Sequence, residues 1–131
     1  MPIGSRKPLA TLAAVAALGT LGVAPAAYAN HDDGVEVRGT CTGRSTVELD
    51  VDREHGRLEV ELEVDQNRSG VRWQIVLRHN GVRFFRGTRT TRAPSGEIDL
   101  RRLTADRPGR DTIRAWAKSP SGEVCTAVAR I

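Results

Sequence analysis

Val71–Thr90, VRWQIVLRHNGVRFFRGTRT, carries the clearest structural signal in this 131-residue chain. Apolar residues occupy every second position from Trp73 to Leu77, and a period of two is typical of a strand with one buried face. Asn80-Gly81 then separates two apolar runs. Asn-Gly is a strong hairpin signal because both central residues of a type I′ turn need positive φ. The segment therefore predicts a central β-hairpin.

The turn also predicts which residues face each other across this hairpin. With Asn80-Gly81 as a two-residue loop, we expect three facing pairs: His79 with Val82, Leu77 with Phe84, and Val76 with Phe85. The hairpin would hold Trp73 and both phenylalanines of the chain. We expect the other strands to cover its apolar face.

Six further segments alternate in the same way, about ten residues apart: 35–42, 47–51, 58–64, 98–100, 111–117 and 124–129. The clearest is 58–64, with one aliphatic and one acidic face. No segment after residue 29 shows an apolar period of 3.6. Eight short strands separated by turn signals predict an all-β, immunoglobulin-like sandwich of two antiparallel sheets. A closed barrel stays open as the alternative, since alternation alone does not separate the two.

The N-terminal segment, Met1–Ala29, has the pattern of a secretory signal peptide. Arg6 and Lys7 precede an uncharged stretch, Leu9–Val23, and Ala27-Tyr28-Ala29 supplies the small residues of a cleavage site. That stretch would rise about 22 Å as a helix, short of the roughly 30 Å hydrocarbon core. We therefore expect an exported protein without a membrane anchor after cleavage. A flexible leader over 30–34 would precede a domain over 35–131.

Cys41 and Cys125, the two cysteines of the chain, lie near the ends of the predicted domain. An even number of cysteines in an exported protein favours a disulfide. Two free thiols or a metal pair are the alternatives, and two distant cysteines without a neighbouring histidine make a poor zinc site. We predict a Cys41–Cys125 bond between the first and last strands.

Four short motifs resemble a group of small secreted actinobacterial proteins of unknown function: Gly39-Thr40-Cys41, Trp73-x-Ile75-x-Leu77, Gly109-x-Asp111-x-Ile113-x-Ala115-x-Ala117 and Gly122-Glu123-x-Cys125. They resemble immunoglobulin-like modules more loosely. The resemblance implies a sandwich and export, and it brings no catalytic residue. The cysteines lie on the first and last strands, which differs from the antibody-type bridge between the second and sixth.

No pattern in the sequence indicates catalysis. His31, His55 and His79 lie in the leader or at turns, and we interpret them as polar turn residues. No Ser, Cys or carboxylate accompanies them at a spacing that suggests a catalytic triad, although spacing alone leaves a triad open. Motifs for phosphate-cradling loops, zinc proteases and calcium loops are lacking. We therefore predict no enzyme, no cofactor and no metal.

The charged residues are sorted along the chain. The segment Glu48–Asp65 holds eight acids and two arginines, whereas Arg68–Arg114 holds twelve arginines and four acids. One interpretation is a surface with an acidic and an arginine-rich side, which would bind a polyanion or dock a partner by charge. The other is pairing of Glu and Arg ladders across neighbouring strands.

One apolar group has no predicted place in the core. By strand parity Val76, Phe85 and Trp116 would face away from Trp73, and we predict them as a candidate contact patch. Arginine stems or the loop 103–110 could instead cover them.

These features favour a secreted, non-catalytic binding or envelope-associated module, whose partner is an extracellular protein or an envelope polymer. Nucleic acid is not expected, because aromatic and arginine residues do not interleave as in base-stacking surfaces. An inhibitor of an extracellular enzyme is the alternative, with Leu103–Arg110 as the one long loop that could insert into an active site.

Overall fold

The computed structural model describes the backbone of Gly4, residues 30–31 and residues 34–131, and the side chains of 34–131. Apart from Gly4, the predicted signal peptide, Met1–Ala29, lies outside the described residues. Of the predicted leader, residues 32 and 33 also lie outside them.

The described residues form ten strands and no helix. The strands are β1 (Asn30–His31), β2 (Gly34–Arg38), β3 (Thr40–Cys41), β4 (Thr46–Glu54), β5 (Arg57–Asp65), β6 (Arg72–His79), β7 (Val82–Thr90), β8 (Glu97–Ala105), β9 (Thr112–Lys118) and β10 (Val124–Arg130). Within this part of the chain, nothing helical is long and apolar enough to cross a membrane.

The strands form two five-stranded antiparallel sheets. Sheet A has the order β1-β2-β4-β5-β8, and sheet B has the order β3-β10-β9-β6-β7. Inward-facing side chains from both sheets meet in one core, with Trp73, Leu49 and Leu62 among its largest fully buried members. The predicted all-β sandwich of two antiparallel sheets is confirmed, and the barrel alternative is wrong because the sheets stay separate.

The predicted first strand divides between the two sheets at Gly39. Before this residue β2 pairs with β4 in sheet A, and after it β3 pairs with β10 in sheet B. A Cβ atom at Gly39 would collide with the Thr126 carbonyl oxygen and would lie 2.8 Å from Ala127 Cβ and Val47 Cγ1. The chain crosses between the sheets where only a glycine fits.

The central hairpin forms at Asn80-Gly81, where both residues have positive φ as predicted. His79 pairs with Val82 as expected, but the register shifts between Leu77 and Arg78. Leu77 therefore pairs with Phe85 and Val76 with Arg86, so two of the three predicted pairs are wrong. The shift is a β-bulge in β7, whose extra residue is Phe84.

Cys41 and Cys125 form the predicted disulfide, with an S–S distance of 2.02 Å. The two residues are direct partners in the β3–β10 pairing, so the bond joins neighbouring strands of sheet B. It closes a loop of 84 positions between the first and last parts of the sandwich.

Sheet A also corrects one predicted loop. The short strand expected at Ile98 and Leu100 continues to Ala105 as β8, because it pairs with β5 along its whole length. The predicted long loop Leu103–Arg110 is therefore wrong in its first three residues. The six residues that remain before β9 are held by a hydrogen bond from Asp106 N to Gly56 O (3.2 Å). An ion pair of 3.6 Å between Arg53 and Asp106 also holds them.

Candidate binding surface

The outer side of sheet A is an acidic face. On β2, β4, β5 and β8 every second side chain points into the core, and the intervening ones point outward. The outward set includes eleven carboxylates: Glu36, Glu48, Asp50, Asp52, Glu54, Glu59, Glu61, Glu63, Asp65, Glu97 and Asp99. Three arginines accompany them: Arg38, Arg57 and Arg101.

Like charges oppose each other directly on this acidic face. Glu63 lies opposite Glu48 on one side and Asp99 on the other. Partial burial, followed by the charges of Glu97, Glu48 and Asp99, raises the pKa of Glu63. Arg101 offsets part of the repulsion, through ion pairs of 3.4 Å to Glu59 and 2.9 Å to Glu61. The acids are thus concentrated on one side rather than paired one by one with arginines across the strands.

The outer side of sheet B has the opposite charge, and we call it the arginine face. Its outward strand residues include seven cations: Arg72, Arg78, Arg83, Arg86, Arg114, Lys118 and Arg130. Within residues 34–131 no Asp or Glu points outward from these strands. None of the seven cations has a carboxylate within 4.0 Å in the described part of the chain.

The cations are arranged in rows across the strands of the arginine face. Arg83, Arg78 and Arg114 are consecutive neighbours across β7, β6 and β9. Side chains in such positions lie about 5 Å apart at Cβ, and like charges there destabilise a sheet. The sheet therefore bears a concentration of positive charge that the described residues leave uncompensated.

An apolar strip lies beside this row. Val76 and Trp116 are cross-strand partners, both half-buried, with Arg86 next to Val76 and Thr126 next to Trp116. A depression of about 400 Å³ lies on this part of the face, lined by the strip together with Arg78, Arg83 and Arg86. A second, of about 410 Å³, adjoins it near Arg72 and Lys118. The surface offers an aromatic platform surrounded by guanidinium groups.

The structure brings together two of the three residues of the predicted contact patch. Val76 and Trp116 are neighbours on the arginine face, but Phe85 lies on the other side of its strand. The bulge in β7 turns Phe85 inward, where it packs against the core. Its ring lies 5.3 Å from the guanidinium of Arg89 and 4.6 Å from that of Arg102. The Phe85 ring thus lies between Arg89 of β7 and Arg102 of β8.

His79 is buried, so its interpretation as a polar turn residue is wrong. Its Nε2 lies 2.6 Å from Asp111 Oδ1, and its Nδ1 lies 2.9 Å from Thr104 Oγ1. Asn80 Nδ2 also donates to Asp111 Oδ1 (3.2 Å). The strand parity of His79 with Trp73 and of Asp111 with Ile113 would have identified both residues as inward-facing.

The chemistry of this buried pair is structural. Burial alone raises the pKa of Asp111, but hydrogen bonds from His79 and Asn80 outweigh that effect and lower the pKa below its ordinary value. The side chains of His79 and Asp111 are 3% and 0% exposed, so a substrate has no access to them. The pair fastens β6 to the start of β9 and, through Thr104, to β8. Among the described residues no group of three or more His, Cys, Asp or Glu side chains is arranged to hold a metal ion.

Comparison with known proteins adds no family to this description. No protein-family profile matches the chain, and no curated protein matches its sequence. The charge and shape of the two faces are therefore the observations that bear on function.

Proposed function

We propose that the protein is an exported, non-catalytic module that binds an anionic polymer of the cell envelope through its arginine face. The observation that carries this proposal is the set of seven outward cations without a carboxylate partner in the described part of the chain. A polyanion would supply the missing countercharge to all of them at once.

The composition of the face favours phosphate groups as ligands. Six of the seven cations are arginines, whose planar guanidinium forms two parallel hydrogen bonds to a phosphate or carboxylate. The row Arg83-Arg78-Arg114 would contact successive anionic groups along an extended chain. Trp116 and Val76 would receive the apolar part of the repeating unit.

Two features support export. The Cys41–Cys125 disulfide is typical of oxidising compartments outside the cytosol. The N-terminal 29 residues have the composition of a secretory signal. The resemblance to small secreted actinobacterial proteins agrees with this location.

The experiment measures binding of dilute protein to immobilised poly(glycerol phosphate), with neutral dextran as the uncharged control. The test variant is Arg78→Glu/Arg114→Glu. Its matched control is Arg44→Glu/Arg107→Glu, which changes the net charge equally at exposed positions outside the strands that form the face. We expect the test variant to bind at least about tenfold more weakly and the control to stay within about twofold. Wild-type affinity should fall steeply as salt rises.

Equal losses in both variants would show that net charge alone drives binding and would refute the assignment to the arginine face. Retention on neutral dextran would refute an electrostatic mechanism. Tighter binding to duplex DNA than to poly(glycerol phosphate) would show that the ligand is a nucleic acid and not an envelope polymer.

A further inference from the structure

We infer that the arginine face of one molecule docks on the acidic face of a second copy, so that the protein associates in face-to-face stacks. This interaction goes beyond polymer binding, because it uses the acidic face of sheet A, for which the proposed function has no role.

Charge complementarity identifies the second copy as the occupant. The acidic face presents eleven carboxylates with three arginines, and the arginine face presents seven cations without a carboxylate. The two faces lie on opposite sides of a sandwich whose sheets are separated by about 10 Å. One molecule therefore cannot bring its own faces together, whereas a neighbouring copy can.

The repulsive rows on the two faces would become attractive when stacked. Glu48, Glu63 and Asp99 form one transverse row on the acidic face. Arg83, Arg78 and Arg114 form a row of three cations on the other face. Each row repels itself within its own sheet. Docking one row on the other would add an opposite charge against each of its three members and so offset the repulsion within both rows.

The dimensions of the faces match. Each consists of four main strands of five to nine residues, β2, β4, β5 and β8 on one side and β7, β6, β9 and β10 on the other. Four strands span roughly 19 Å, and eight residues of strand span roughly 27 Å. A contact of that size buries about 1,000 Å² in total, at the lower limit for a specific interface. Association should therefore be weak, reversible and sensitive to salt.

The symmetry of the contact determines how it grows. The two surfaces are different, so the contact is heterologous and each docked molecule presents a free face at either end. Stacks should lengthen with protein concentration instead of stopping at a dimer. An anionic polymer would compete with the second copy for the arginine face and should therefore dissociate the stacks.

The test is sedimentation velocity of the oxidised protein over a range of protein concentrations in low salt. Two variants each remove one partner surface: Glu48→Lys/Glu63→Lys on the acidic face and Arg78→Glu/Arg114→Glu on the arginine face. We expect wild type to show a concentration-dependent rise in sedimentation coefficient that disappears between about 50 mM and about 500 mM NaCl. Each variant alone should remain monomeric, and an equimolar mixture of the two should associate.

The mixture is the decisive arm, since each variant retains the face that the other lacks. Circular dichroism checks that both are folded. Where a charge reversal prevents folding, Glu48→Gln/Glu63→Gln and Arg78→Gln/Arg114→Gln replace it, with association expected to weaken at least about fivefold. A wild type that stays monomeric in low salt at millimolar concentration would overturn the inference. So would association that persists in both variants, or a mixture that remains monomeric.

Failure of this inference differs from failure of the proposed function. Glu48→Lys/Glu63→Lys should lose self-association and keep its binding to poly(glycerol phosphate), which is measured on dilute monomer. If the wild type forms stacks but does not bind poly(glycerol phosphate), the proposed function is refuted and the inference of stacking is not.

Discussion

Asp111 and His79 connect three strands through a single buried hydrogen-bonded group. Asp111 accepts from Asn80 and lies 2.6 Å from His79, which in turn contacts Thr104 of β8. An unpaired charge in such a position is costly, because the interior cannot replace the lost hydrogen bonds. We therefore expect the pair to contribute to stability without contributing to binding.

Replacing Asp111 by Asn tests this role. We expect the free energy of unfolding at pH 7 to fall by about 2–4 kcal/mol, because the charged hydrogen bond is lost. The lowered pKa of Asp111 also determines how its contribution to the free energy of unfolding depends on pH. Its stabilising effect is present above the unfolded-state pKa of about 4 and disappears as the pH falls through the folded-state value.

Urea unfolding of both proteins at neutral pH and in acid provides the measurement. The difference between wild type and Asp111→Asn should shrink in acid. A difference that is the same at both pH values would contradict the electrostatic role of Asp111.

Trp116 and Phe85 form a matched pair of aromatic residues with different predicted roles. Trp116→Ala should weaken binding to poly(glycerol phosphate) by about fivefold, equivalent to about 1 kcal/mol, because it removes the aromatic platform. Phe85→Ala should leave that binding within about twofold.

The variant expected to keep its binding, Phe85→Ala, is the one expected to lose stability. Phe85→Ala should lower the free energy of unfolding by about 2 kcal/mol, since the ring packs against the core between Arg89 and Arg102. Thermal unfolding and a binding isotherm are measured on each protein. Equal effects of the two substitutions on binding would show that Phe85 belongs to the contact surface after all.

At the scale of elements, the passage of the chain from β2 in sheet A to β3 in sheet B depends on Gly39. Its missing side chain lets the backbone pass the Thr126 carbonyl and the Val47 side chain. Gly39→Ala should destabilise the sandwich by about 1–3 kcal/mol through overpacking. Thr40→Ala, next to it on the exposed side, should cost less than about 1 kcal/mol. Equal unfolding midpoints for Gly39→Ala and wild type in urea would disprove the tight crossing.

Most elements could be predicted from alternation and turn residues alone. Period two identified the long strands, and Asn80-Gly81 formed the expected turn with positive φ. The pairing beyond that turn could not be predicted, because the bulge inserts Phe84 into β7 without any local signal such as Pro or Gly at that position. A shift of one residue reverses the side on which a strand residue points, which is why Phe85 was assigned to the wrong face.

Strand ends were also underestimated where tertiary pairing extends them. Beyond Leu100, β8 carries Arg101 and Arg102 and has no clear apolar alternation, yet β5 supplies a partner for every residue to Ala105. The first strand showed the opposite effect. Its alternation continues through Gly39, although the chain changes sheets there.

At the scale of the whole molecule, the disulfide closes a loop of 84 positions and holds β3 against β10. The chain-entropy estimate for such a loop is about 4.5 kcal/mol, and measured losses for small domains run from about 2 to 5 kcal/mol. We expect reduction to lower the free energy of unfolding of the wild type, obtained from its urea midpoint and slope, by an amount in this range. A midpoint that is the same with and without reductant would contradict this contribution.

The sequence left two alternatives for the charges of the whole molecule: an acidic and an arginine-rich side, or pairing of Glu and Arg across neighbouring strands. Sorting of acids and arginines along the chain was visible, but their placement depends on which strands share a sheet. Because β4, β5 and β8 lie in one sheet and β6, β7 and β9 in the other, the acids and the arginines end on opposite sides. Strand parity alone could not give this separation.

The central claim is that the arginine face is the binding surface, and amide chemical-shift mapping tests it most directly. Isotope-labelled protein, dilute enough to be monomeric, is titrated with short poly(glycerol phosphate) chains. We predict that the shifted amides cluster on β6, β7 and β9 around Trp116, with sheet A unchanged. Shifts centred on β4 and β5, or spread evenly over both sheets, would contradict the account.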